Sequence, residues 1–336
     1  MTRVSIAMVL ALALGTAGTF RAQRPPARSA AQPTLAFVTN ERSHTISVID
    51  VDATRVVATI PVDGRPRGVR VAPDGRRVYV ALSDDAPNAA SSRDAIAVID
   101  VATRRVVARH AAGSDPEQFD LTPDGLTLYA SNEDAGTASA VDLRTGQVRG
   151  TMVVGIEPEG VAVAPDGRRA YVTAETSNTV SVVDTRTNTV AGNILVDVRP
   201  RAVAVSPDSR RIYVTAEIGG TLTTVDAATL EATATIELDR GEGKPVGVAV
   251  SSDGRRVYVA NGRANSVSVV DGAGETVLAT WPVGRRPWGV AVTGDGRKVL
   301  TANGGSDDVT ILDAASGRAI GTVKAGRGPW GVAVTR

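Results

Sequence analysis

The chain has 336 residues, 43% of them apolar, with 37 Lys and Arg against 36 Asp and Glu. Cysteine is absent and only two histidines occur, which excludes disulfides, thiolate-held zinc, iron–sulfur clusters and sites built from several imidazoles. Length alone would suggest two domains of ~150 residues, and the apolar content suffices for a full core.

The first predicted element is an export signal. Arg3 precedes an apolar run over residues 4–14, followed by small residues. The run is too short to cross a bilayer, and no other segment is long and apolar enough. Cleavage is expected between Ala17 and Ala22. Residues 1–22 thus read as a secretory signal, 23–34 as a Pro/Ala/Arg linker, and 35–336 as one folded domain. The mature protein is expected in the periplasm or outside the cell, as a monomer without a membrane span. Four of the basic residues (Arg3, Arg21, Arg24, Arg28) precede residue 35, where no acid occurs. The remaining 33 basic groups face 36 acids, so the body is mildly acidic and gives no case for a nucleic-acid partner.

From residue 35 one motif is written seven times. An Asp closes a β-branched run at Asp50, Asp100, Asp142, Asp184, Asp226, Asp271 and Asp313. An aromatic or Leu recurs at Phe37, Tyr79, Tyr129, Tyr171, Tyr213, Tyr258 and Leu300. A proline recurs at Pro66, Pro116, Pro158, Pro200, Pro245, Pro287 and Pro329. Each repeat holds four short segments of alternating Val, Ile, Thr and Tyr, which predict strands. The first two are joined by Pro-Asp-Gly, a tight-turn signal. Four strands per repeat and no helical periodicity predict an all-β, seven-bladed β-propeller of four-stranded antiparallel blades. The first repeat lacks an inner strand and the chain ends with a spare one, Trp330 to Val334. The C-terminal strand should therefore complete the N-terminal blade and close the ring.

The segments Phe37-Val-Thr-Asn40 and Tyr171-Val-Thr-Ala174, with Thr-Val-Ser-Val-Val-Asp, resemble the YVTN β-propeller repeat family. Repeat-specific phrases, among them DPEQFDLTPDG at 115–125 and GIEPEGVAV at 155–163, resemble the exported propellers associated with pyrroloquinoline-quinone-dependent alcohol catabolism. The resemblance implies fold and setting and supplies no catalytic residues. No quinone cofactor follows from it, since the Trp-containing signature of quinoprotein dehydrogenases is missing.

Strand parity sorts the loops onto two faces. The one–two and three–four turns share a monotonous face, where the repeat aspartates should cap their own turns. The two–three and four–one loops share a varied face. Both insertions fall there, at residues 83–94 and 239–244. On this face Arg65 and Arg67 bracket Pro66, Asp115 and Glu117 bracket Pro116, Glu157 and Glu159 bracket Pro158, and Arg199 and Arg201 bracket Pro200. Arg286 and Trp288 bracket Pro287, and Trp330 follows Pro329. Glu133, Glu175 and Glu217 recur four residues after the repeat aromatic. The result is a polar channel mouth with an acidic sector, arginines on both sides and two tryptophans opposite. Two alternatives stay open: the charges form a binding site, or they neutralise one another as surface pairs worth ~0–1 kcal/mol each. Trp330 serves equally as a stacking platform or as a plug of the closing blade. Deeper in the channel, Arg70 and Asp120 replace the Ala of other repeats and should pair.

There is no catalytic motif and no metal-ligand spacing. The preferred reading is an exported, non-catalytic scaffold that binds a protein or small molecule in the periplasm, without a cofactor. The alternative is a lactonase-type hydrolase using the acidic sector around a divalent cation. A third, a cell-surface adhesin, would require surface exposure.

Overall fold

The computed structural model describes residues 33–84 and 93–335. The expected signal and linker, up to residue 32, lie outside the described residues, as does the middle of the first insertion. Seven four-stranded antiparallel sheets are formed. From the inner strand outward, blade two is Arg65–Val71, Arg77–Ser83, Ala95–Asp100 and Arg105–His110. Blade three is Pro116–Leu121, Thr127–Asn132, Thr137–Asp142 and Gln147–Val153. Blade four is Pro158–Val163, Arg169–Ala174, Thr179–Asp184 and Thr189–Leu195. Blade five is Pro200–Val205, Arg211–Ala216, Thr221–Asp226 and Ala232–Glu237. Blades six and seven begin with Pro245–Val250 and Pro287–Val292.

Blade one confirms the predicted closure. Its inner strand is Pro329–Val334, paired antiparallel with Leu35–Asn40 through Ala36–Val334, Phe37–Ala333 and Val38–Val332. Thr335 donates its N–H to the Leu35 carbonyl at 2.8 Å, and Leu35 donates to the Thr335 hydroxyl at 2.9 Å. The domain starts slightly earlier than expected, because Thr34 accepts a hydrogen bond from the Val51 N–H and so belongs to the sheet.

The repeated residues explain the repeated geometry. Each aspartate at the end of a third strand caps the next turn. Asp184 accepts from the N–H groups of Arg186 and Thr187, and Asp142 from those of Arg144 and Thr145. The Thr145 N–H leads the causes that hold the Asp142 carboxyl down at about 2. The Pro-Asp-Gly turns need a left-handed residue, such as Gly167 at φ 73°. Ser209 occupies that conformation in blade five, and its hydroxyl accepts the Asp166 N–H at 3.0 Å. The repeat aromatics lie buried between blades. The Tyr129 hydroxyl reaches Asn188 of the next blade at 2.6 Å, and burial pushes it up to about 12.

A second device binds neighbouring inner strands. Four second strands carry a buried hydroxyl facing a bulge. Thr39, Ser131, Thr173 and Thr215 each accept an inner-strand N–H of their own blade. Each donates to an inner-strand carbonyl of the next blade, as Thr173 does to Arg201 at 3.0 Å. The insertions sit on the varied face as expected. The first is pinned at its base, where Asp94 accepts the Asp84 N–H at 3.0 Å. Two short 3-10 turns, Glu41–Ser43 and Asp239–Gly241, are the only helical elements among the described residues, and the sequence pattern did not reveal them. No described helix is long and apolar enough to cross a membrane.

Candidate functional site at the channel mouth

One backbone contact, repeated in six blades, builds the mouth. The residue before each proline offers its carbonyl to the N–H of the residue that opens the two–three loop. The bonds join Gly328 to Glu41, Asp115 to Glu133, Glu157 to Glu175, Arg199 to Glu217, Lys244 to Gly262 and Arg286 to Gly304, at 2.8–3.1 Å. Blade two pairs Arg65 with Ser83 in the ladder instead. In these six blades the pre-proline residue is left-handed, with φ of 47° at Asp115, 54° at Glu157, 62° at Arg199, 48° at Lys244, 49° at Arg286 and 67° at Gly328. Only Gly328 tolerates this freely. The other five hold charged side chains at a backbone cost of ~1 kcal/mol or more each. The strain is not visible in composition, although a glycine at one of seven equivalent positions was a usable signal.

The charges are far less exposed than the surface-pair reading required. Glu117 is 0% exposed, Glu175 3%, Glu159 4% and Arg201 7%. Arg67 reaches Glu117 at 2.8 Å and Glu41 at 3.2 Å. Arg65 places one nitrogen 3.2 Å from Asp115 and 3.5 Å from Glu117, and another 3.6 Å from Glu41. Across the mouth Arg201 binds Glu159 at 3.0 Å and contacts Glu175 directly, while Arg199 reaches Glu175 at 2.8 Å and Glu217 at 3.4 Å. These are buried networks, in which desolvation offsets much of the attraction and loss of one partner is severe. Glu41 was not among the expected site residues, although it occupies the same repeat position as Glu133.

Burial sets the proton affinities. It pushes the Glu117 carboxyl well above the usual range, against the pull of Arg67. It likewise raises Asp115, against the pull of Arg65, and Glu133, where repulsion from Glu159 and Asp115 adds to the effect. For Arg67, burial works toward a lower value, and Glu117, Glu41 and Glu159 outweigh it.

The two tryptophans line a mouth pocket of about 240 Å³ together with Glu41, Glu133 and Glu159. Trp288 and Trp330 stack at 6.4 Å, with Arg67 over Trp330 at 5.2 Å and Arg201 over Trp288 at 5.6 Å. An Arg–Trp–Trp–Arg band thus lies across the channel. Trp330 is 5% exposed, which favours its role as a plug. Beneath the band the channel is small, about 60 Å³. Arg70 pairs with Asp120 at 3.3 Å as expected, and Asp120 also accepts the Val163 N–H, so the pair ties blades two, three and four.

Glu157 lines a rim pocket with Glu133; it is exposed and accepts from the Thr176 hydroxyl, with no arginine partner among the described residues. Arg286 is also exposed and lies over Trp288 at 4.7 Å. The carboxylate oxygens of Asp115, Glu117 and Glu133 lie within 4.8 Å of one another, the one metal-like constellation among the described residues. Arg65 already bridges Asp115 and Glu117, and Arg67 also pairs with Glu117, so two of the three carboxylates carry a cation and the donor set fits a divalent ion poorly. His44 lies beside the Gly64 carbonyl at 3.1 Å, and His110 ends an outer strand; neither is among the mouth residues described above.

Comparison with known proteins places this geometry in context. No curated protein matched the chain. Among solved structures, Kuenenia stuttgartiensis hydrazine synthase is similar at 21% identity and TM-score 0.74, over 83% of this chain and 92% of that one. A functionally unknown protein from Desulfotomaculum acetoxidans DSM 771 is similar at 16% identity and TM-score 0.76, over 90% and 99%. A "putative 6-phosphogluconolactonase" from Bacteroides uniformis ATCC 8492 is similar at 17% identity and TM-score 0.75, over 90% and 100%. At these identities the likeness is one of fold. The model of the family described as "Lactonase, 7-bladed beta-propeller" matches residues 27–163 and 196–335. The repeat propeller expected from the sequence therefore stands, and the chain belongs to the seven-bladed β-propeller lactonase family.

Proposed function

We propose that this is an exported, non-catalytic binding protein whose varied face recognises a small molecule or a partner's loop. The setting suggested by its repeat phrases is quinoprotein-linked alcohol catabolism in the periplasm. The observation that carries the reading is the pairing of the mouth. Asp115, Glu117, Glu159, Glu175 and Glu217 all have arginine partners, which neutralises most of the acidic sector and leaves Glu133 and Glu157 as the mouth acids without an ion pair among the described residues. Family membership and the raised carboxyls of Asp115, Glu117 and Glu133 favour a second reading, a lactone hydrolase. One experiment separates them. Purified protein is assayed for proton release from aldonolactones and aromatic lactones, with and without Ca²⁺, Mg²⁺ and Mn²⁺, and its metal content is measured. The binding reading expects the spontaneous rate and no stoichiometric ion. A catalysed rate that disappears in Glu117→Gln/Glu133→Gln overturns it.

A further inference from the structure

The repeats act as controls on one another at the outer rim of the varied face. Two positions, three residues apart, recur where each fourth strand ends and its loop begins. They are Pro61 and Gly64 before blade two, Ala111 and Ser114 before blade three, Pro282 and Arg285 before blade seven, and Lys324 and Arg327 before blade one. The fold therefore has no need of apolar residues there. Before blades four and five, however, they are Val153 with Ile156 and Leu195 with Val198.

Val153 and Leu195 are 78% and 77% exposed, and Ile156 and Val198 are exposed as well. Ile218, in the two–three loop of blade five, is exposed beside Val198, whose carbonyl accepts the Gly219 N–H at 3.1 Å. Every other exposed large apolar side chain among the described residues lies in the first half of an outer strand, toward the opposite face, or at Leu126 on that face. Hydrogen bonds join the loops of this arc. Ile156 donates its N–H to the Ser177 hydroxyl at 2.8 Å. Asn178 accepts from the Val196 N–H at 3.0 Å through its carbonyl and from the Arg199 N–H at 2.9 Å through its side chain. The surface is thus ordered before anything binds it.

Its charge is one-sided. The loops of the arc and their blade-three neighbour carry Glu133, Asp134, Glu157, Glu175, Asp197 and Glu217 against one cation, Arg199, which is engaged by Glu175 and Glu217. At the blade-three end a pocket of about 410 Å³ is lined by Glu133, Asp134, Ile156 and Glu157. Apolar side chains with no packing role, beside a concave acidic pocket, mark an interaction surface.

We infer that the rim of blades three to five docks a partner protein, through an extended segment in which a Lys or Arg lies beside aliphatic or aromatic residues. The cation enters the pocket between Glu133 and Glu157, and the apolar side chains cover Leu195, Val198 and Ile218. A second copy set arc to arc would oppose like charges, and anionic lipid would be repelled, so the charge pattern selects a basic protein segment. The inference rests on the binding reading above and names its partner class.

The test uses the whole protein. Random dodecapeptides displayed on phage are selected against it, and the enriched sequences are synthesised and titrated by fluorescence anisotropy. They should combine Lys or Arg with apolar residues, and their affinity should fall as salt rises. Leu195→Lys/Val198→Arg copies the residues found before blade one, Lys324 and Arg327, so the melting temperature should hold while affinity falls by about tenfold or more. Glu157→Gln should weaken binding and lessen its fall with salt. Arg263→Ala, across the ring, should leave it unchanged. Selection of acidic peptides, selection of no common pattern, or equal binding by the folded double variant overturns the inference. So does a dimer in sedimentation that the double variant abolishes, which gives the rim to a second copy. Binding to phosphatidylcholine vesicles that the double variant loses overturns it too, and gives the rim to a membrane. A lactone-hydrolysis rate bears on the non-catalytic reading alone, so the two failures are distinct.

Discussion

Replacing Arg201 by Met tests whether the mouth is held by buried charge. The guanidinium is 7% exposed and serves Glu159 at 4% and Glu175 at 3%. Breaking a buried pair by removing one partner costs about 3–5 kcal/mol, because the remaining charge stays desolvated. Glu175 keeps Arg199 at 2.8 Å, whereas Glu159 has no other ion pair among the described residues. One carboxylate is therefore orphaned rather than two, and Met fills most of the stem volume. About 4 kcal/mol is expected. With an unfolding entropy of about 2.1 cal/mol/K per residue over roughly 300 residues, this corresponds to a fall of about 6 °C in Tm at pH 7. Differential scanning calorimetry measures it. The paired variant Glu159→Gln/Arg201→Met removes the orphaned charge and should recover at least half of the loss. A fall below about 2 °C for Arg201→Met, or no recovery in the double variant, would refute the argument and return the network to the energetics of exposed pairs.

Two further predictions follow from features of the same ring. The carboxyls of Glu117, Asp115 and Glu133 are raised in the folded state, so the unfolded chain releases their protons first as pH rises. Their contribution is present at low pH and is lost as pH climbs above about 4.5. The turn-capping aspartates, including Asp100, Asp184, Asp226 and Asp313, are held low and act in the opposite sense, losing their contribution as pH falls through about 3.8 and below. Tm should rise from pH 7 to about pH 5 and drop below about pH 4. Glu117→Gln should flatten the upper limb, and a profile that rises monotonically to pH 7 contradicts this. Separately, Thr39→Val removes a fully buried hydroxyl that accepts from Gly331 and donates to Arg67, both at 2.7 Å. Two backbone groups are left unpaired, and chemical denaturation should report a loss of about 2 kcal/mol with an unchanged m-value.

The architecture was legible because each repeat poses the same local problem and solves it with the same residue types. Val-Ala-Val periodicity, Asp-Gly turns and turn-capping aspartates are short-range signals, and they fixed strand order, blade number and ring closure. The channel mouth was legible in membership but not in character. Arg67 with Glu117, Arg201 with Glu159, and Arg70 with Asp120 are neighbouring-blade pairs that register alone predicts. The burial of the first two pairs was not predictable, because Arg67 packs over Trp330 and Arg201 over Trp288, contacts between residues far apart in sequence. The same cause hid the stacking of the two tryptophans on each other. Glu157 shares the left-handed backbone of Asp115, yet Asp115 meets Arg65 while Glu157 bonds to Thr176, a difference set by neighbouring side chains that composition does not encode.

The exchange of strands in blade one has a temporal meaning. Leu35–Asn40 is among the first segments of the folded domain to be synthesised, and its partner Pro329–Val334 is the last. Blades two to seven each draw their four strands from consecutive segments, but blade one holds an open gap until Pro329–Val334 is free. The strands that bind neighbouring blades through Thr39 and Arg67 then lock together in one step. Closure thus waits on the segment of the domain most distant in sequence, and the loop face, whose pairs join blade one to blades two and seven, exists as a site only after it.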